Sequence, residues 1–185
     1  MIILKDIKKS FSQLEVLKGI NLTIEDSQIV SIVGASGAGK TTLLQIAGTL
    51  LKADSGKILK DGISFSAVFQ EDRLLEDLDS VTNVLAVSPD LTEKAVKEAL
   101  SEVLSEGDLD KPVKELSGGQ KRRVAVVRAL MHDSSCLILD EPFTGMDPDT
   151  IDKVRTFISK HAGKRIVLLV SHENINENHL IKVAL

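Results

Sequence analysis

Gly34-Ala35-Ser36-Gly37-Ala38-Gly39-Lys40-Thr41 follows the apolar run Gln28-Ile29-Val30-Ser31-Ile32-Val33 and opens a stretch, Lys40 to about Leu51, that reads as a helix. The spacing is G-x-x-x-x-G-K-[ST], and a buried strand before it with a helix after it is the context in which that pattern cradles phosphates. Glycines let successive amide N–H groups turn inward. Those amides and the positive end of the following helix attract the phosphates. Lys40 adds a point charge for the outer phosphates, and Thr41 adds a hydroxyl for a magnesium ion. ATP with Mg²⁺ is the expected ligand.

A phosphate loop that hydrolyses its ligand needs a carboxylate at the end of a neighbouring strand to hold magnesium, usually through water. Leu137-Ile138-Leu139-Asp140-Glu141 is an apolar strand that ends in two acids. Asp140 fits the metal role. Glu141, next along, fits the group that activates or orients the attacking water.

Leu116-Ser117-Gly118-Gly119-Gln120 precedes the run Lys121-Arg122-Arg123-Val124-Ala125-Val126-Val127-Arg128-Ala129-Leu130. Ser117 and Gln120 have the spacing of a capping box. Two glycines in a first helical turn cost stability, roughly 0.8–1 kcal/mol each relative to Ala at interior positions. Bare amides at a helix start suit the close approach of an anion.

Working outward, the chain opens as antiparallel β, with Ile2-Ile3-Leu4, a turn region and Asn21-Leu22-Thr23-Ile24. Lys57-Ile58-Leu59, Ala67-Val68-Phe69, Cys136–Asp140, Ile166–Val170 and Ile181–Ala184 read as strands of the kind buried between helices. Helical periodicity spans Glu93–Ser105, Gly118–Met131 and Asp149–His161. The alternation predicts an α/β fold: a P-loop NTPase core with a mainly parallel sheet, an N-terminal antiparallel β segment and an inserted helical lobe. Residues 1–185 form one domain on this expectation, with the lobe at roughly 71–130.

The bulk numbers are those of an ordinary globular protein, 43% hydrophobic and 27% charged. A net charge of −4 gives no bulk attraction to nucleic acid, and 3% aromatic residues with no Trp or Tyr leave no stacking platform for single strands. Nucleic acid is not an expected partner. The single cysteine, Cys136, lies in an apolar run and reads as a small core residue. No apolar run reaches the ~18–20 residues that span a bilayer, and the N-terminus lacks a signal-peptide pattern. The expected location is cytoplasmic, and a place on the inner face of the membrane would come only through a partner. His132, His161 and His179 read as surface residues.

Over nearly its whole length the chain resembles the ATP-binding subunits of ABC transporters. The motifs above occur in that family's usual order. The resemblance implies roles by position. Residues 34–41 form the Walker A loop, adjoined by Thr42. Gln70 is the glutamine that contacts Mg²⁺ and water and relays the state of the site. Residues 116–120 are the signature, Asp140 is the Walker B aspartate and Glu141 the catalytic glutamate. Asp147, before Pro148, is the D-loop aspartate. His172 is the switch histidine at the γ-phosphate, and Phe11 is the aromatic that stacks on adenine. Catalysis then falls to Glu141, His172, Gln70 and Lys40. Nucleotide binding falls to Phe11, Gly34 through Thr42 and, from a second copy, Ser117, Gly118, Gly119, Gln120 and Asp147. Magnesium falls to Thr41, Gln70 and, through water, Asp140.

The resemblance further implies a pair of ATP-binding subunits sandwiching two ATP molecules, docked on a multi-span permease. The string Val68-Phe69-Gln70-Glu71-Asp72-Arg73-Leu74-Leu75 is similar to importer subunits for nitrate, sulfonate or taurine. The interval from Gln70 to Leu116 is short for the family, so a reduced helical lobe is expected. A non-transport cytosolic ABC ATPase is the competing reading. It is disfavoured by the lack of a coiled coil between the two motifs and of a second ATPase domain in tandem.

Overall fold

The computed structural model describes residues 1–171 and 180–185. Two compact units are present. The first comprises 1–65, 134–140 and 164–185, and the second 66–133 and 141–163.

The first unit opens with a long hairpin, β1 (Ile2–Phe11) and β2 (Leu14–Ile24), joined through Ser12 and Gln13. The sequence reading placed only a turn region across much of this stretch. Lys8, Lys9, Ser10, Glu15 and Lys18 hide the strand pattern there, because that end of the hairpin is largely exposed and gives little apolar alternation. Ile2, Leu4, Ile7, Leu17 and Ile24 go to the core, with a register shift between Leu4 and Ile7. β4 (Ser55–Leu59) pairs antiparallel with β1, so this sheet runs β2-β1-β4. The expectation that the Lys57-Ile58-Leu59 strand lies buried between helices is thereby corrected: most of β4 is exposed.

A parallel ladder forms the rest of the unit. β3 (Ile29–Val33) lies between β7 (Ile166–Val170) and β8 (Leu180–Ala184), and β7 also pairs with β6 (Cys136–Asp140), all parallel. β6 and β7 are buried at every position. Such continuous burial explains why they read as unbroken apolar runs, as parallel strands covered on both faces do. α1 (Lys40–Ala47) packs on β6 and β7. It stops short of the expected Leu51, because Thr49 turns to φ 58°, and the preceding Gly48 lies so close to the sheet that a Cβ there would fall 2.8 Å from Ile138 Cδ1. Gly48 N and Leu50 N then close the helix on the carbonyls of Leu44 and Gln45, at 2.9 and 2.8 Å.

β5 (Phe65–Val68) ends the first unit and begins the second. The second unit is otherwise helical: α2 (Ser80–Leu85), α3 (Glu93–Ser101), α4 (Gly118–Met131) and α5 (Pro148–Ala162). Each starts on a side-chain cap, Asp79, Thr92, Ser117 and Asp147, which accepts a backbone N–H three residues on. Val84, Val96, Leu100, Val124, Val127 and Val154 fill the core at 0% exposure, and Phe157 lies among the largest buried side chains. α2 has no separate signature in the sequence. It is fixed by buried Asn83, whose side chain binds Leu75 N and O and the carbonyls of Leu78 and Asp79. No helix among the described residues is long and apolar enough to cross a membrane.

Candidate nucleotide site

The loop between β3 and α1 exposes Ala35, Ser36 and Gly37 and closes on itself. Gly39 takes φ 95° at the helix start, and a Cβ there would lie 2.6 Å from Val16 Cγ1. Backbone strain and space both demand glycine at this position. α1 has no acidic residue in its first turn, so the positive end of its dipole is left uncompensated by its own side chains. Lys40 Nζ donates to the carbonyls of Gly34 and Ala35, both at 2.9 Å. The ammonium group thus sits at the mouth of the loop, where an anion cradled by the amides would meet it.

Thr41 and Asp140, remote in sequence, meet at the base of the loop. Thr41 Oγ1 donates to Asp140 Oδ2 at 2.6 Å. Asp140 is fully buried at the C-terminal end of β6. A buried carboxylate is tolerated only with such partners. The pair offers hard oxygen donors of the type magnesium takes. No group of three His, Cys, Asp or Glu side chains capable of holding a metal exists among the described residues. One carboxylate and one hydroxyl suit an ion that keeps most of its waters and shares phosphate oxygens, so the donor set fits Mg²⁺ rather than a protein-caged metal.

Beside the loop, Leu14, Val16, Gly37, Ala38 and Leu185 contribute to a groove of about 340 Å³. Its apolar flank suits a flat heteroaromatic base. Phe11 does not line it. That ring stands at the hairpin end of β1, 47% exposed, with Lys9 Nζ 5.5 Å from its centroid. Sequence reasoning singled out the aromatic and passed over Leu14 and Val16. The only available signal was the short alternation Leu14-Glu15-Val16-Leu17, which was assigned to a turn region.

The second unit carries the remaining candidates. Glu141 has φ 51° and its carbonyl accepts from Thr144 N at 3.3 Å and Thr144 Oγ1 at 3.1 Å. A left-handed backbone at a residue other than Gly, Asn or Asp costs of order 1 kcal/mol and marks sites where side-chain direction matters. Asp147 caps α5, accepting from Thr150 N at 3.0 Å and Thr150 Oγ1 at 2.8 Å. The bonds from Thr150 hold its carboxyl below the ordinary value of 3.8. Gln70 is exposed, just past β5. His172 lies outside the described residues.

At the start of α4 the capping box is fully formed. Ser117 Oγ accepts from Gln120 N at 3.3 Å, and Ser117 N donates to Gln120 Oε1 at 2.8 Å. Gln120 Nε2 donates in turn to Asp108 Oδ2 at 2.6 Å. Lys111 and Ser105 bind the same Asp108 carboxylate and, with Gln120, lower its pKa. The two glycines differ. A Cβ on Gly118 would meet nothing within 4 Å, whereas one on Gly119 would lie 2.5 Å from Gly145 O. Gly118 therefore presents open backbone, and Gly119 admits the turn that leads to Asp147.

The geometry agrees with the known proteins this chain matches. Residues 17–144 match the family model described as ABC transporter. A lipoprotein-releasing system ATP-binding protein, LolD, from Porphyromonas gingivalis is 41% identical, with 77% of this chain and 75% of that protein covered. The aliphatic sulfonates import ATP-binding protein SsuB 2 from Agrobacterium fabrum is 37% identical, with 89% of this chain and 67% of that protein covered. Among solved structures, a dimeric ATP-binding cassette in a post-hydrolysis state with ADP and Pi superposes with a TM-score of 0.82 at 29% identity, covering 94% of this chain and 88% of that one. The chain thus belongs to the ABC transporter family, as one of its ATP-binding, ATP-hydrolysing subunits.

Proposed function

We propose that two copies of this chain, or this chain and a similar one, sandwich two Mg²⁺–ATP molecules and drive a membrane permease. The observation that carries the reading is the 2.6 Å bond between Thr41 Oγ1 and Asp140 Oδ2 behind a loop closed by Lys40. It joins the two residue types that a triphosphate-bound magnesium ion needs.

In this reading the amides of Gly34 through Lys40 and the Lys40 ammonium hold the β- and γ-phosphates, and Thr42 extends the same helix start. Thr41, Asp140 through water, and Gln70 hold Mg²⁺, which supplies charge neutralisation at the transferring phosphoryl group. Glu141 accepts the proton of the attacking water, and His172 and Gln70 orient the γ-phosphate side of the site. The groove at Leu14 and Val16 takes the adenine. Ser117, Gly118, Gly119 and Gln120 of one copy face the phosphates of the other and add donors where charge develops, with Asp147 of the same copy beside that seam.

Relatives named for lipoprotein release and for sulfonate import share this motor, so the permease sets the cargo. The chain sits on the cytoplasmic face through that permease. The decisive experiment is Glu141→Gln. ATP binding stays within about twofold, turnover falls by about 10²–10⁴, the range of a lost general base, and the chain elutes as a dimer with ATP and as a monomer without it. Native turnover in that variant removes Glu141 from the chemistry, and a monomer at saturating ATP breaks the sandwich.

A further inference from the structure

Residues 69–73, which carry Gln70, lie outside any helix or strand. Their backbone carbonyls are nevertheless held, and by a single helix. Arg122 donates from Nη1 to Phe69 O and from Nη2 to Gln70 O, the latter at 3.0 Å. Its Nη1 also lies 2.9 Å from the Asp72 carboxylate. Arg128, further along α4, donates to Asp72 O and Arg73 O, both at 2.8 Å. Arg73 itself turns to φ 49°. β5 is tied to the same helix, with Ser66 Oγ donating to Ala129 O at 2.8 Å.

Arg122 is the unusual member of this set. It is only 5% exposed. A buried guanidinium is costly unless carboxylate and carbonyl oxygens satisfy it, and here they do. Its planar fork reaches two neighbouring carbonyls at once, which a lysine ammonium on a flexible stem cannot reproduce. Arg122 also stands about one turn, ~6 Å of axial rise, beyond Gly118. The signature end of α4 and the backbone of Gln70 are therefore linked through one rigid side chain.

Resting on the functional reading above, we infer that Arg122 is a positioning residue for ATP hydrolysis: it fixes the backbone of Gln70 to the signature helix, so that engagement of Ser117–Gln120 and placement of Gln70 occur together. Arg122 binds Phe69, Gln70 and Asp72. It acts through Gln70, and its loss matters only as far as Gln70 matters.

The test is a double-mutant cycle on the full chain, measuring ATP affinity by calorimetry and turnover by phosphate release. Arg122→Lys lowers kcat about tenfold and leaves ATP Kd within twofold. In a Gln70→Ala background the same substitution changes kcat less than twofold. Arg122→Gln, which removes the buried charge and leaves one donor group, gives the same pattern and serves if the lysine variant does not fold. A purely structural arginine would instead lower the melting temperature and reduce kcat by the same factor in both backgrounds, and that result overturns the inference alone. Native kcat in both Arg122 variants also overturns it. If Gln70→Ala by itself leaves turnover unchanged, the role of Gln70 in hydrolysis and the inference fall together.

Discussion

The loop at 34–41 and the signature at 117–120 are both glycine-rich helix starts, and they differ in what their side chains do. In the first, Lys40 turns back on Gly34 and Ala35 and Thr41 on Asp140, so that a cation stands at the mouth of the loop and a hydroxyl at its base. In the second, Ser117 and Gln120 are engaged in a capping box that Asp108 extends. What that helix start presents outward is the backbone at Gly118. One helix start offers side-chain chemistry, and the other offers a shaped edge of backbone. This is the division expected if the first holds the nucleotide and the second closes over one.

That contrast can be broken at its strong end by Lys40→Ala. Loss of a charge-assisted contact to phosphate weakens ATP binding about 100-fold, equivalent to about 2.7 kcal/mol. Unchanged affinity by calorimetry would mean that the loop does not meet the phosphates. Within the signature, Gly119→Ala must push the Gly145 turn away, at about 1–3 kcal/mol. Its melting temperature falls by roughly 3–10 °C, while Gly118→Ala melts at or above the native temperature. Equal melting of the two variants would erase the distinction between open and packed glycines. The smallest effect belongs to Ser117→Ala. Loss of the cap costs about 1 kcal/mol, read as a shift of roughly 3 °C. A native melting curve would show that the box contributes nothing to the start of α4.

The element types of β6, β7 and α4 were legible in the sequence. β6 and β7 are continuous apolar runs because both faces are covered, and α4 announces itself through Ser117, Gln120 and the run that follows. The end of α1 was not legible, since Thr49, a β-branched residue that rarely takes positive φ, makes the left-handed turn there. Most of β2 was missed because its pattern is interrupted at an exposed hairpin end, and its position is set by the register with β1. In the site, Lys40, Thr41, Asp140 and Glu141 could be named from spacing alone. Leu14 and Val16 could not, because the groove they flank is made by the hairpin lying along Gly37 and Ala38.

By itself the sequence determined the ligand class. Phosphate chemistry needs a fixed local order of glycines, lysine and hydroxyl, and local order is what a sequence records. It determined as well where α4 starts, since the cap Ser117 and its N–H partner at Gln120 are three residues apart. Only the tertiary structure decided that Thr41 meets Asp140, that Gly119 packs closely against Gly145 and that Arg122 holds the carbonyls of Phe69 and Gln70. These pairs are separated by many residues, and their meeting depends on how strands and helices pack. No local pattern carries that information, because the cost of a buried charge or an added Cβ is set by the neighbour that packing supplies.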